Sequence, residues 1–281
     1  MRYSSRLDWL AQVGTWNNVL VITGAGCSVP SGIPAYRDAD GQWRHRAPVT
    51  YREFMESEHV RRRYWARSTK GWQLIERAEP NQAHQALARL EQEGYIRALV
   101  TQNVDGLHAR AGSRKLMELH GGLASVACTR CAWRGERGTF QADLLHLNPE
   151  LGTDIALIAP DGDAHLEDGV YATFQVPSCH YCDGVIKPDV VFFGEAVPVQ
   201  RVHDVKDHVS QCDALLVIGS SLTVFSGFRF VKLAASRGLP IAVLNLGSTR
   251  ADHLGAHHLD ASVEDVLPEL VSIVVARKAL V

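Results

Sequence analysis

Four of the six cysteines in this chain of 281 residues fall into two pairs, Cys128-x-x-Cys131 and Cys179-x-x-Cys182. Each pair forms a knuckle that can present two thiolates to one tetrahedral ion, and four thiolates close the coordination shell. In a chain without export signals this pattern points to one structural zinc ion, the competing reading being two unrelated redox or packing couples. His180 stands between two of these cysteines and would become a ligand only if a cysteine were lost. A second chemistry-bearing stretch spans residues 18–38, NVLVITGAGCSVPSGIPAYRD, where an apolar run passes directly into Gly24-Ala25-Gly26. Glycines after a buried strand let backbone N–H groups approach a pyrophosphate, and a following helix N-terminus would favour its charge. The third glycine, Gly32, breaks the plain G-x-G-x-x-G spacing. Gln102, Asn103 and Asp105 then offer an amide pair and a carboxylate, suited to a ribose or a carboxamide but equally to forming a turn. A histidine at a segment end, His120, suits proton transfer near neutral pH. Among 13 histidines, spacing alone does not prefer it to His108.

These groups need a scaffold, and the hydrophobic pattern supplies one. Apolar strand-like runs at 19–22, 96–101, 190–193, 214–218 and 241–244 alternate with helical patterns at 5–13, 52–72, 81–93, 202–211 and 228–236. Each strand ends in a small polar turn. That rhythm predicts an α/β fold built on a doubly wound parallel sheet, with ligands beyond the carboxyl ends of the strands. Residues 125–182 break the rhythm and hold both cysteine pairs, so they are expected to form a small inserted zinc-binding module with a loop-like interior. Residues 1–124 and 183–281 then make the larger domain. Residues 52–72 are dense in charge and aromatics, and their plain reading is a solvated basic face with Tyr64, Trp65 and Trp72 packed inward.

A formal net charge of -2 argues against a nucleic-acid binder. No run reaches the roughly 18 apolar residues of a membrane span, and the first residues lack an apolar signal core, so a cytoplasmic chain without membrane contact is expected. A monomer is expected too.

Read together, GAGCSVPSGIPAYR, TQNVDGLH, ELHG, the two cysteine pairs, KPDVVFFGE, GSSL and Asn245-Leu246-Gly247 follow the order seen in sirtuins. The resemblance covers about residues 10 to 270, nearly the whole chain. RYWARSTKGW, the segment Ala159-Pro160-Asp161-Gly162-Asp163 and KPDVVFFGE look more narrowly like the class II branch, which includes a mitochondrial sirtuin. The resemblance implies a Rossmann-like domain and a small zinc module with NAD between them, and removal of acyl groups from lysine.

On that likeness the backbone of Gly24, Ala25 and Gly26 holds the pyrophosphate, and Ile33 and Asp105 place the nicotinamide carboxamide. Asn103 and Gln102 face the nicotinamide ribose, Asn103 also serving the chemistry. Pro34, Tyr36 and Arg37 belong to a cofactor loop, while Gly219, Ser220, Ser221, Asn245, Leu246, Gly247 and Val263 serve the adenosine half. The acyl oxygen would attack C1′ of the ribose as nicotinamide leaves. His120 would then deprotonate a ribose hydroxyl, and water would release lysine and O-acyl-ADP-ribose. Val190, Val191 and Phe192 resemble the edge that takes an acyl-lysine peptide as an added strand. Tyr64 and Arg67, at i and i+3, resemble the pair that grips acidic acyl groups. The chain departs from the family at Ala35, where an acid is common, and at Cys27, usually aliphatic. Protein ADP-ribosylation is the alternative reaction within the family; an NAD dehydrogenase and a non-catalytic zinc-ribbon module are the alternatives outside it.

Overall fold

The computed structural model describes residues 2–3, 5–35, 48–151 and 171–280. In chain order the elements are β1 (Arg2–Tyr3), α1 (Arg6–Val13), β2 (Val19–Thr23), α2 (Tyr51–Glu56), α3 (Glu58–Arg77), α4 (Gln82–Gln92) and β3 (Ile96–Thr101). There follow α5 (Leu107–Arg110), β4 (Leu116–Glu118), β5 (Gly121–Cys128), β6 (Arg134–Glu136), α6 (Arg137–Leu147) and β7 (Ile186–Val190). The chain continues through α7 (Val199–Gln211), β8 (Ala214–Ile218), α8 (Phe225–Ser236), β9 (Ile241–Leu244), β10 (His257–Leu259) and α9 (Val263–Lys278).

Seven strands form the main sheet in the order β1-β10-β9-β8-β2-β3-β4, every pair parallel. β2 and β8 are apolar at nearly every position and fully buried, as a strand covered on both faces must be. Side chains alternate across β2. Val19 and Val21 face α1, α4 and α9, packing with Leu10, Leu87, Leu90, Leu267 and Leu270. Leu20 and Ile22 face α7 and α8, packing with Val205, Val209, Phe230 and Val231. Fully burying each such side chain contributes about 1.5–3 kcal/mol, which fixes the register of the central strand. From β2 the chain builds outward through β3 on one side and later through β8 on the other, so the β2/β8 boundary is the switch point where such sheets bind ligands.

The second sheet has three strands in the order β6-β5-β7, both pairs antiparallel. It shares a third apolar cluster with α2, α3 and α6, including Phe54, Tyr64, Trp65, Phe140 and Phe192. Arg137, fully buried, ties α6 to α3. Its guanidinium lies 5.4 Å from the ring of Trp65 and 5.0 Å from that of Trp72, and it donates to Gln141 Oε1 at 2.6 Å and to the Ser68 carbonyl at 3.3 Å. Burial lowers its pKa to about 10.

Two sequence expectations need correction. The strand expected at 190–193 is Ile186–Val190 instead. Pro188 is tolerated within it because β7 is an edge strand, where a residue lacking an N–H can sit. Behind the glycine turn stand two three-residue 3-10 turns, Ala25–Cys27 and Val29–Ser31, rather than a helix N-terminus. α6, whose inward residues Phe140 and Leu144 sit four apart, ends where the stretch expected to be loop-like begins, and residues 152–170 of that stretch lie outside the described residues. The segment 159–163 lies outside the described residues.

Candidate active site

The glycine turn packs against the end of β8 so closely that side chains are excluded. Gly26 N–H donates to the Gly219 carbonyl at 2.8 Å, and Gly24 N–H to the Ile218 carbonyl at 3.1 Å. A Cβ on Gly24 would fall 2.7 Å from Ser220 Cβ, and Gly219 itself has φ 58°.

Across this turn lies the polar segment after β3, and Ser28 joins the two. Its hydroxyl donates to Asp105 Oδ2 at 2.7 Å and accepts from Asn103 Nδ2 at 3.0 Å. Asn103 Nδ2 also donates to the Gly24 carbonyl at 3.1 Å. Asp105 Oδ1 accepts the Leu107 N–H at 2.9 Å, and burial raises the carboxyl pKa despite these bonds. Gln102 Nε2 reaches Ser220 Oγ at 2.9 Å and the Thr23 carbonyl at 3.2 Å. Gln102, Asn103, Asp105, Gly24, Gly26, Gly219 and Ser220 therefore converge at the carboxyl ends of β2, β3 and β8. Ile33 is buried nearby, its N–H donating to the Ser28 carbonyl at 3.3 Å; Ala25 and Pro34 are half-buried on the same loop. Tyr36 and Arg37 lie outside the described residues.

Farther along the same sheet edge, Asn245 follows β9, its Nδ2 donating to the Leu246 carbonyl at 2.7 Å. Gly247 N–H donates to Asp260 Oδ1 at 3.1 Å, which leaves Leu246 protruding, 66% exposed. Ser221 Oγ pairs with Thr223 Oγ1 at 2.9 Å, and Val263 is the buried first residue of α9.

His120 sits between β4 and β5, and its tautomer follows from its partners. Nδ1 lies 2.9 Å from the Gln102 carbonyl, which only accepts, so Nδ1 carries the proton. Nε2 is then a lone pair, and the Ser226 hydroxyl donates to it at 2.7 Å. Burial pulls the imidazole pKa below its ordinary value, outweighing the carbonyl bond that raises it. The geometry separates the two histidines that spacing left equal: His108 is 1% exposed inside the core and its Nε2 meets Thr23. Ser226 and the junction role of Ser28 escaped sequence reading. Ser28 lay inside the glycine-loop string, whereas nothing in the local pattern marked Ser226.

The second sheet brings the expected peptide edge to this histidine. Val191 N–H donates to the His120 carbonyl at 2.7 Å, just beyond the pairing of Gly121 with Val190. The ring of Phe192 packs 5.0 Å from Phe54 and 5.3 Å from Tyr64. Lys187 braces this edge, pairing with Glu195 at 3.1 Å and donating to the Val190 carbonyl at 2.6 Å, while Glu195 Oε2 accepts the Phe192 N–H at 2.9 Å. Tyr64 is 3% exposed within this aromatic group; Arg67, one turn on, is half-buried.

The four paired cysteines meet in space, all Sγ atoms within 4.8 Å of one another. Cys128 and Cys182 are 3.5 Å apart, Cys131 and Cys179 3.7 Å. A tetrahedral ion with bonds of about 2.3 Å to sulfur needs separations of roughly 3.8 Å, so the residues fit zinc. The Cys131 and Arg130 N–H groups point at Cys128 Sγ, at 3.4 and 3.3 Å, which suits a thiolate.

With this geometry in view, comparison with known proteins is decisive. The model of the Sir2 family matches residues 24–226. The chain is 51% identical over 260 residues to a protein of Bordetella bronchiseptica named NAD-dependent protein deacetylase, covering 92% of this chain and 95% of that one. The chain belongs to the Sir2 family. This sirtuin is also 45% identical over 257 residues to the NAD-dependent protein deacylase Sirt4 of Drosophila melanogaster, covering 90% of this chain and 82% of the other. Among solved structures it superposes on a Sir2 homolog–NAD complex with TM-score 0.74 at 28% identity, over 100% of this chain and 96% of that one. It matches a Sir2–p53 peptide–NAD+ complex with TM-score 0.75 at 28% identity, over 97% and 98%. Among the described residues no helix is long and apolar enough to cross a membrane.

Proposed function

We propose that this sirtuin removes acyl groups from protein lysines, consuming NAD and releasing nicotinamide. The observation that carries the reading is His120. It is held as the Nδ1–H tautomer between a carbonyl and a hydroxyl, with its Nε2 lone pair beside the converging polar groups and its own carbonyl on the peptide edge. Burial keeps the imidazole neutral at pH 7, the form that accepts a proton. A ribose hydroxyl arriving at Nε2 replaces the Ser226 hydroxyl as donor.

The remaining roles form part of the same proposal. The Gly24–Gly26 turn, with Ala25, receives the pyrophosphate; Ile33, Pro34 and Asp105 receive the nicotinamide, and Asn103 and Gln102 its ribose. Gly219, Ser220, Ser221, Asn245, Leu246, Gly247 and Val263 receive the adenosine half. Tyr36 and Arg37 enter from the sequence alone. Val190, Val191 and Phe192 supply the edge for an acyl-lysine peptide. Cys128, Cys131, Cys179 and Cys182 hold one zinc ion, which supplies rigidity and no chemistry to the substrate. Residues 1–124 and 183–281 act as the NAD-binding domain and 125–182 as the zinc module, whose strands reach back to Gly121 and on to Val190. The protein works as a cytoplasmic monomer of class II character.

Tyr64 and Arg67 favour acidic or bulky acyl groups over acetyl. They share one face of α3, and Tyr64 touches the ring of Phe192 at the peptide edge. If Arg67→Met processed succinyl- and glutaryl-peptides as fast as the parent, this preference would be wrong.

The function is tested by incubating the protein with NAD and a panel of acyl-peptides beside a His120→Tyr control. Nicotinamide release with O-acyl-ADP-ribose, both lost in the control, is expected. NADH formation, or ADP-ribose retained on the protein substrate, would replace the reading with hydride transfer or ADP-ribosylation.

A further inference from the structure

Beneath the glycine turn three donors suited to a metal meet in the core. Cys27 comes from the 3-10 turn after β2, His84 from the first turn of α4 and His108 from α5. All three are buried, at 0%, 0% and 1% exposure, and their ligand atoms lie within 4.8 Å of one another. The imidazoles pack at 4.7 Å between ring centroids. Two features set this group apart from ordinary packing. His108 Nδ1 is buried without a hydrogen-bond partner, an expensive state for a polar atom. Both nitrogens of His84 are held only loosely, Nδ1 by the Asn81 N–H at 3.3 Å and Nε2 against Ser28 Oγ at 3.4 Å.

We propose that Cys27, His84 and His108 form a second zinc site, separate from the four-cysteine site, whose occupancy inhibits the enzyme. One thiolate and two neutral imidazoles are a donor set zinc accepts. Burial keeps both imidazoles neutral, lowering His84 to about 4 and His108 well below its ordinary value, so their lone pairs are available. Burial also raises the Cys27 thiol, which stays protonated until a metal arrives. Binding forms the S–Zn bond, breaks the S–H bond and releases one proton to solvent. The remaining +1 charge on the thiolate–zinc unit is matched by the Asp105 carboxylate, which Ser28 ties to this cluster.

Inhibition follows from geometry. Bonds of about 2.3 Å to sulfur and 2.0 Å to nitrogen require donor separations of roughly 3.5 Å, so zinc must draw these groups together by up to about 1.3 Å. Cys27 sits between Gly26 and Ser28. Drawing it toward α4 and α5 moves the turn proposed for the pyrophosphate and loosens Ser28 from Asn103 and Asp105. The four-cysteine site makes no contact with this loop among the described bonds, so filling it leaves the turn in place.

The test uses the holoprotein carrying its single zinc, titrated with chelator-buffered zinc. A second equivalent is expected to bind, and to be lost in Cys27→Ile, an apolar replacement at a position where the family is usually aliphatic. With cobalt added instead, the parent is expected to show a thiolate-to-cobalt absorption band that Cys27→Ile lacks. Nicotinamide release should fall in the parent as the second equivalent binds and recover on mild chelation, while Cys27→Ile is insensitive. His108→Gln, with Cys27 intact, covers the case in which Cys27→Ile does not fold. A stoichiometry fixed at one zinc, or a second equivalent retained in both variants, overturns the proposal. The stoichiometry and cobalt measurements hold whether or not the deacylation reading survives.

Discussion

Gly227, in the first turn of α8, allows stability and function to be separated by one methyl group. A Cβ there would collide with Gln102 Oε1 and lie 2.7 Å from its Cδ. The backbone of α8 does not have to move, because the obstructing atoms end a flexible side chain. What Gly227→Ala removes is the seat of the Gln102 amide, hence its bonds to Ser220 Oγ at 2.9 Å and the Thr23 carbonyl at 3.2 Å. Two such bonds contribute about 1–3 kcal/mol together. Alanine returns up to about 1 kcal/mol of helix propensity. The net loss of stability is therefore about 0–2 kcal/mol, small enough for a folded protein. The site suffers more. Ser220 and Gln102 stand where the adenosine half and the nicotinamide ribose are proposed to lie, and the Gln102 backbone carbonyl fixes the His120 tautomer. KM for NAD is expected to rise about tenfold, the equivalent of roughly 1.4 kcal/mol, with KM for peptide little changed. Urea unfolding and steady-state kinetics on Gly227→Ala, Gln102→Ala and the double variant form a cycle. Because both substitutions act on one amide, their effects on KM should fail to add. An unchanged KM for NAD in Gly227→Ala, or strict additivity in the cycle, would refute the argument.

Three further outcomes are expected. The acid limb of kcat/KM should lie below pH 6.5, because burial lowers the His120 pKa and the base form persists as pH falls; Ser226→Ala, tested in the same pH profile, should shift that limb. Lys187→Met removes a half-shielded pair with Glu195 and the bond to the Val190 carbonyl. It should raise KM for peptide and leave KM for NAD alone, at about 1–3 kcal/mol of stability in chemical denaturation. Cys131→Ser should abolish the zinc equivalent of the four-cysteine site and loosen the second sheet, seen as faster amide exchange in β5 and β7, while β2 and β8 remain protected.

Much of the fold was legible because the chain states it locally. The strands Ile96–Thr101, Ala214–Ile218 and Ile241–Leu244 coincide with unbroken apolar runs bounded by turn residues, and Asn81 caps α4 just where the helical pattern begins. β7 was misplaced because its strand character comes from pairing with β5 rather than from its own residues: Lys187, Pro188 and Asp189 favour no strand alone. The glycine turn, the polar segment after β3 and the cysteine pairs were visible as types and spacings. What spacing could not supply was the choice between His120 and His108. That depends on which one the sheets leave beside solvent, and on Ser226, more than a hundred positions away in sequence.

The arrangement of His120 and Val191 has a mechanical consequence. His120, the proposed base, immediately precedes β5, Val191 of the proposed peptide edge immediately follows β7, and those two strands are hydrogen-bonded to each other. The spacing of the two is thus set by the three-stranded sheet, whereas the groups proposed for the dinucleotide stand at the ends of the seven-stranded one. A displacement of the three-stranded sheet would carry His120 and Val191 together as one jaw. Among the described residues, two bonds from the imidazole reach across to the larger sheet's side, to the Gln102 carbonyl and to Ser226. Such a displacement would break those bonds and free the ring, so the proton transfer proposed for His120 would be armed only when the bite is closed.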